Sequence, residues 1–257
     1  MESDDAARSS GPADSDRRAS GLPCEAHQEQ PVSAGYEACK TKYADVTEEN
    51  YVAENIVSPV LDQQERRRLE AALELLPDAK AAARKVLELG GGYGRNQPLL
   101  REFYAQAEVL MIEQSQANIA IAASKMLVPE ADCLCASVQD VPWDAHVASV
   151  DVIVDWWTLS YLEVADVGKV LRGVQQALRP DGVFVVCLPV TLRPGNRGGP
   201  MDVGMHNRMQ SDYEDLFKAA GLESHGCLPK PREYGPVSVR ALYHQCSETV
   251  WVLTPSQ

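Results

Sequence analysis

The chain has 257 residues, 45% of them hydrophobic, and a formal net charge of −13. That length and apolar content suit one sizeable core, and no apolar run approaches the roughly 20 residues that cross a bilayer. The acidic balance argues against a nucleic-acid partner, because phosphate-backbone binding relies on Lys and Arg displacing counterions, and leaves a basic peptide or a small molecule as the natural partner.

In chain order, residues 1–35 are rich in Ser, Asp, Ala, Gly and Pro with few large apolar side chains, the composition of a disordered tail. The stretch has no apolar signal-peptide core and its Asp residues argue against a transit peptide, so cytosol or nucleus is expected. Residues 36–257 read as one domain whose segment 36–84 forms a helical cap. Within it a helix over Gln63–Leu76 buries Leu69, Ala72, Leu73 and Leu76 and stops at Pro77. The charges of Glu65–Arg68 read as a solvated helix face. Seven Cys, at 24, 39, 133, 135, 187, 227 and 246, form no CxxC pair and have no His at zinc-ligand spacing. Free thiols in a reducing compartment and no metal are expected.

From Lys85 onward short apolar runs alternate with amphipathic segments. Strands are expected at Val86–Leu89, Val109–Ile112, Cys133–Ala136, Val150–Asp155 and Val183–Cys187. Helices are expected at Asn96–Tyr104, Gln116–Met126 and Val164–Leu178. Such alternation implies an α/β fold with a doubly wound, mostly parallel sheet and helices on both faces. Leu178–Val183, "LRPDGV", ends a helix and turns through Pro-Asp-Gly. Pro189–Gln210 is a long Gly/Pro-rich connection of the kind that tends to be functional. A helix at Ser211–Ala220 and strands at Val237–Tyr243 and Thr249–Leu253 complete the pattern.

The stretch "ELGGGYGRN" places a glycine turn between the first strand and the first helix of this unit, where backbone N–H groups can approach a ligand closely. Gly90 and Gly92 lie at its centre. Glu113 ends the next strand, about 20 residues on, where a carboxylate can accept both hydroxyls of a ribose. Glu88 stands two residues before the first glycine. There it would repel a dinucleotide's pyrophosphate, which argues against a dehydrogenase, yet it can hold the amino group of a methionine moiety. The expected cofactor is therefore S-adenosyl-L-methionine. Val138 and Gln139, just after the third strand, could contact adenine.

These residues resemble class I S-adenosylmethionine-dependent methyltransferases from about Lys85 onward, which implies a seven-stranded Rossmann-like sheet. Three segments resemble the protein N-terminal (alpha-N) methyltransferase family. "GGGYGR" resembles that family's Gly-x-Gly-Arg turn, which implies that Arg95 holds the cofactor carboxylate. "VQD" resembles its Leu-Gln-Asp, and "DVIVDWWTLSYL" its strand-Gln-Trp-x-x-Gly-His-Leu run. The resemblance implies methylation of a protein α-amine, with Trp157 at the family tryptophan. Trp156 replaces the family glutamine, Tyr161 its histidine and Pro189 its asparagine. Asp202 stands near the acids that grip the substrate, and Arg208 fits the Arg that follows.

Methyl transfer from a sulfonium is an in-line displacement, in which orientation does most of the work. An α-amine, with a pKa of roughly 8, must lose a proton before it can attack. Asp202 and Tyr161 are the candidates to accept it, with Trp157 against the cationic amine and Asp155 as a further acid if it faces the cleft. Adjacent tryptophans share a wall only if the strand has ended before the second. The Asp/Asn-Pro-Pro-aromatic motif of nucleic-acid amino methyltransferases is missing from "DWWTL". Two other readings keep the same fold: a catalytically silent binding subunit and a small-molecule methyltransferase with Pro189–Gln210 as a lid.

Overall fold

The computed structural model describes residues 59–76, 83–191, 205–206, 208–229 and 246–256. Asp202, the tail and the strand expected at Val237–Tyr243 lie outside the described residues. Helix α1 spans Pro59–Leu73. From Lys85 the chain builds β1 (Lys85–Leu89), α2 (Gln97–Phe103), β2 (Glu108–Glu113), α3 (Gln116–Ser124) and β3 (Cys133–Cys135). It continues with β4 (Val150–Trp156), α4 (Val164–Ala177), β5 (Leu178–Thr191), α5 (Gln210–Ala219), β6 (Leu222–Pro229) and β7 (Cys246–Pro255).

The seven strands form one sheet in the order β3-β2-β1-β4-β5-β7-β6. β1 to β5 pair in parallel, and β7 enters antiparallel between β5 and β6. The doubly wound fold expected from the alternation is therefore the one observed. The strand order reverses between β1 and β4, so the carboxyl ends of these strands open a crevice, the position at which such sheets bind ligands.

Both faces are covered because β1, β4 and β5 are apolar on both sides. On one face, α4 presents Val167, Val170, Leu171, Val174 and Ala177, spaced three and four apart, to Leu87, Ile153, Phe184 and Val186. On the other, α1 and α2 set Leu69, Ala72, Leu73 and Leu100 over Val86, Val152, Val154 and Val185. Tyr213 and Phe217 of α5 pack on Trp251 of β7 with ring centroids 5.8 and 5.5 Å apart.

Three expectations are corrected. The expected Pro-Asp-Gly turn is present but its setting differs: Leu178 already pairs with Val150, and Val183 with Val152, so Arg179–Gly182 loops out within β5, with Gly182 folded back on Arg179. β6, "LESHGCLP", was not anticipated: it is an edge strand whose Glu223, Ser224 and His225 are exposed and whose register shifts between Ser224 and Gly226. Third, Arg68 is not on a solvated face. Its guanidinium donates to Glu248 Oε2 at 2.8 Å and to Cys187 Sγ at 3.0 Å, and it lies 5.9 Å from the Trp156 ring centroid.

The Arg68 and Glu248 side chains are only 12% and 6% exposed. Removing one partner from such a pair leaves a buried charge, at a cost of roughly 3 to 5 kcal/mol. Arg68→Ala should therefore shift the urea midpoint sharply down, and the double variant Arg68→Met/Glu248→Leu should recover most of the loss. An unchanged midpoint for Arg68→Ala would show that the pair is solvated.

Candidate cofactor and substrate site

At the carboxyl end of β1 the chain turns through glycines with left-handed backbone at Gly90, Gly92 and Gly94, where φ is +61°, +57° and +82°. Most of their missing side-chain space is already taken by the protein. A Cβ on Gly90 would fall 2.1 Å from Thr158 Oγ1, one on Gly91 2.3 Å from Met111 Cγ, and one on Gly94 3.0 Å from the Ala122 Cβ. At Gly92 alone nothing lies within 4 Å. Room for close approach to the backbone is thus confined to one position of the turn. Gly90, Gly91 and Gly94 let the turn pack against β2, α3 and the Thr158 turn, and Gly92 is the open position.

Two carboxylates hold this turn. Glu88 is buried beneath it and accepts from Asn96 Nδ2 at 3.0 Å and Gln97 Nε2 at 2.6 Å, both at the start of α2. Glu113, at the end of β2, accepts the Gly92 N–H through Oε2 and the Ser115 N–H through Oε1, each at 2.8 Å. The adjacent Gly91 N–H donates to Ile112 O at 3.0 Å. Burial pushes the Glu88 carboxyl up to about 7, against the two amide hydrogen bonds, with the Glu113 charge adding to the rise and Arg95 opposing it. Burial also raises Glu113, opposed by the Ser115 and Gly92 N–H groups and by the Asn118 side chain. The two acids converge, as the spacing in the sequence implies, and Arg95 sits beside them.

Two further buried acceptors near this turn find no donor in the protein: Gln97 Oε1 and Asn118 Oδ1. Orphaned acceptors beside two carboxylates favour a ligand that brings donors and positive charge. S-adenosyl-L-methionine fits, with an ammonium, ribose hydroxyls and a sulfonium. Glu88 and Glu113 would hold it, with Arg95 toward its carboxylate and Gly92 as the point of closest backbone approach. Val138 and Gln139 behave differently from one another. Val138 is packed into the main core, 5% exposed. Gln139 stays half-buried in the turn after β3, paired with Ser137 Oγ.

The other end of the site lies after β4. Asp155 is fully buried and accepts the N–H groups of Thr158 and Leu159 at 2.8 and 3.1 Å. Burial pushes its carboxyl up to about 7, against those hydrogen bonds. It caps the 3-10 turn Thr158–Tyr161 and does not face a cleft. Thr158 ties this turn to the first: its hydroxyl donates to Leu89 O at 3.0 Å. β4 ends at Trp156, and Trp157 follows with φ +77°. Both rings pack against the same apolar cluster, and the Arg68 guanidinium lies over the Trp156 ring. Trp157 and Tyr161 are each half-buried, at opposite ends of the Thr158 turn.

One group was missed in the sequence. His206 lies at the end of the long connection, where nothing in the local pattern marks it. Its N–H donates to Ser160 O at 2.8 Å, and its Nε2 is 3.6 Å from Glu163 Oε1. Arg208 is buried and donates to Leu159 O at 3.3 Å and to Leu162 O, so it braces the turn.

Residues 86–182 match a family model described as a methyltransferase domain. Comparison with curated proteins finds no match. Among solved structures the chain resembles a SAM-dependent methyltransferase from Leishmania major, with 17% identity, 86% of this chain and 83% of that one covered, and a TM-score of 0.64. It also resembles a proposed sarcosine dimethylglycine methyltransferase from Galdieria sulphuraria, with 16% identity, 76% and 86% covered and a TM-score of 0.60. A third is the geranyl diphosphate C-methyltransferase of Streptomyces coelicolor A3(2), solved with S-adenosyl-L-homocysteine, with 12% identity, 88% and 100% covered and a TM-score of 0.63. At these identities the likeness is one of fold. The cyclase SpnF shares that fold too, at 18% identity and a TM-score of 0.58.

A carboxyl whose pKa is higher folded than unfolded stabilises the fold fully below its unfolded value, and that contribution is lost as the pH rises through the folded value. For Glu88 the window runs from 4.5 to about 7. Without ligand, Glu88→Gln should be more stable than the parent at pH 8, by a few kcal/mol, and equal to it near pH 4.5. The same change should weaken S-adenosylmethionine binding at least 10-fold in calorimetry at pH 8. A parent whose unfolding midpoint does not change between these pH values would refute the charge argument.

Proposed function

We propose that this protein, which carries a class I S-adenosylmethionine-dependent methyltransferase domain, transfers the methyl group to an amine, and specifically to the α-amine of a protein or peptide N-terminus. The supporting observation is Trp157. A bulky residue in left-handed backbone costs about 1 to 3 kcal/mol, and such strain persists where the surroundings enforce it and clusters at ligand clamps. Here it falls one residue before Thr158, the side chain in contact with Gly90, so the strained tryptophan borders the cofactor turn. An aromatic face suits a cationic amine, and the net charge of −13 favours encounter with positively charged peptides.

When bound, S-adenosylmethionine supplies a methyl group on a sulfonium. The residues around it bind and orient. Glu88, Glu113 and Arg95 hold the nucleoside and amino-acid ends, Gly92 admits the ligand to the backbone, and Trp157 and Tyr161 border the acceptor. Asp202, outside the described residues, completes the proposed set as a grip on the amine. Asp155 and Arg208 fix the Thr158–Tyr161 turn from within. The Galdieria protein's proposed substrates, sarcosine and dimethylglycine, are amines as well, which supports the nucleophile class and motivates a second reading, a small-molecule amine.

Tritium from labelled S-adenosylmethionine should pass to peptides with free N-termini and not to their acetylated forms, with sarcosine as the small-molecule arm. Trp157→Gly relieves backbone strain but gives up the packing of a half-buried ring on the apolar cluster; assayed where the variant remains folded, it should lower kcat/KM for the peptide at least 10-fold. Equal labelling of free and acetylated peptides would overturn the α-amine reading.

A further inference from the structure

We infer that His206 is the proton acceptor for the incoming amine, with Glu163 as the positioning residue that sets its tautomer. The inference rests on the amine reading above and adds a residue to it.

The geometry begins at Thr158. Its hydroxyl reaches Leu89 O and its side chain fills the space beside Gly90, so it marks the cofactor end of the Thr158–Tyr161 turn. Two residues later, Ser160 offers its carbonyl to the His206 N–H at 2.8 Å. One turn of 3-10 helix thus carries the glycine bend at one end and His206 at the other. The chain two residues beyond His206 is fixed as well: Thr191 N–H, at the end of β5, donates to Arg208 O at 2.8 Å, and Arg208 grips Leu159 O and Leu162 O. His206 is therefore held at the carboxyl ends of β4 and β5, the edge of a parallel sheet where ligands bind.

The ring is oriented as well. Nε2 is buried and faces Glu163 Oε1 at 3.6 Å, while the side chain as a whole is 28% exposed. A carboxylate on that side favours the tautomer with the proton on Nε2, which leaves Nδ1 as the ring's acceptor. Burial lowers the imidazole pKa; Glu163 raises it in part, and Arg208 lowers it further. Among the described residues those are the charged groups acting on the ring, and the net lowering favours the neutral imidazole, the state a base requires. In the step itself, the substrate ammonium gives a proton to Nδ1. The freed lone pair forms the new N–C bond, and the pair of the broken C–S bond stays on sulfur.

The test reads the imidazole directly and needs no known substrate. The His206 resonance, assigned by its loss in His206→Gln, is titrated by NMR in the full chain, alone and with S-adenosylhomocysteine or sinefungin, whose amine replaces the methylated sulfonium. If His206 faces the transferred group, sinefungin should lower its pKa by about 0.5 unit or more relative to S-adenosylhomocysteine, by charge repulsion at short range. Glu163→Gln should lower it in the ligand-free protein. Equal pKa values with the two ligands would overturn the inference while leaving the cofactor site intact, and an unchanged pKa in Glu163→Gln would remove Glu163 from it. If neither ligand binds in calorimetry, the methyltransferase reading of the site fails, and the role of His206 with it. On a peptide that accepts methyl, His206→Gln should lower kcat about 100-fold and abolish the acidic limb of the pH profile, with cofactor affinity unchanged.

Discussion

The contact of Thr158 with Gly90 joins two pieces of backbone separated by 68 residues. A threonine methyl and hydroxyl occupy the volume that any side chain at position 90 would need, and the hydroxyl also satisfies the last carbonyl of β1. Through this one side chain, the bend proposed to receive the nucleoside and the turn proposed to border the acceptor become a single rigid unit. Asp155 enforces the same unit from below by capping the Thr158 and Leu159 N–H groups. Orientation dominates methyl transfer, so the distance between the two turns is the quantity this packing protects.

Electrostatically the site is under tension until something positive arrives. Glu88, Glu113 and Asp155 are all buried and all raised by burial, and Glu88 adds to the rise in Asp155. The nearby amides relieve only part of the cost. A cationic ligand would lower the energy of ionised carboxylates that are otherwise poorly solvated, so affinity comes at the expense of stability in the empty protein. That is the usual exchange at a functional site.

Much of this was legible in the sequence. Val86–Leu89 and Val150–Asp155 announce buried parallel strands by their valine, isoleucine and leucine content, broken only by Glu88, Asp151 and Asp155, and the separation of Glu88, the glycines and Glu113 reflects strand-turn-helix-strand geometry that local patterning captures. What failed depended on partners distant along the chain. The reason for glycine at 90 is Thr158 and at 91 is Met111, neither of which the local segment reveals. Arg68 looks like a surface charge until Glu248 is brought over it. The orientation of Asp155 stays open in the sequence because nothing in "DWW" says that the strand stops and the carboxylate turns inward to cap. β6 escaped because an edge strand with exposed polar residues lacks the alternation of a half-buried one. His206 escaped because its neighbours, Ser160 and Glu163, lie more than 40 residues earlier.

The insertion of β7 between β5 and β6 has a consequence for the order of assembly. Among the described residues β6 pairs with β7 alone, yet it precedes that strand in the chain, so this pairing must wait until β7 has been synthesised. Trp251, the anchor for α5, arrives equally late. The half-built sheet must wait with the β5 edge and the apolar face of α5 uncovered, a state in which non-local pairing is slow and sticky surfaces invite aggregation. Chaperone dependence during synthesis should therefore track the C-terminal strand more closely than the glycine bend.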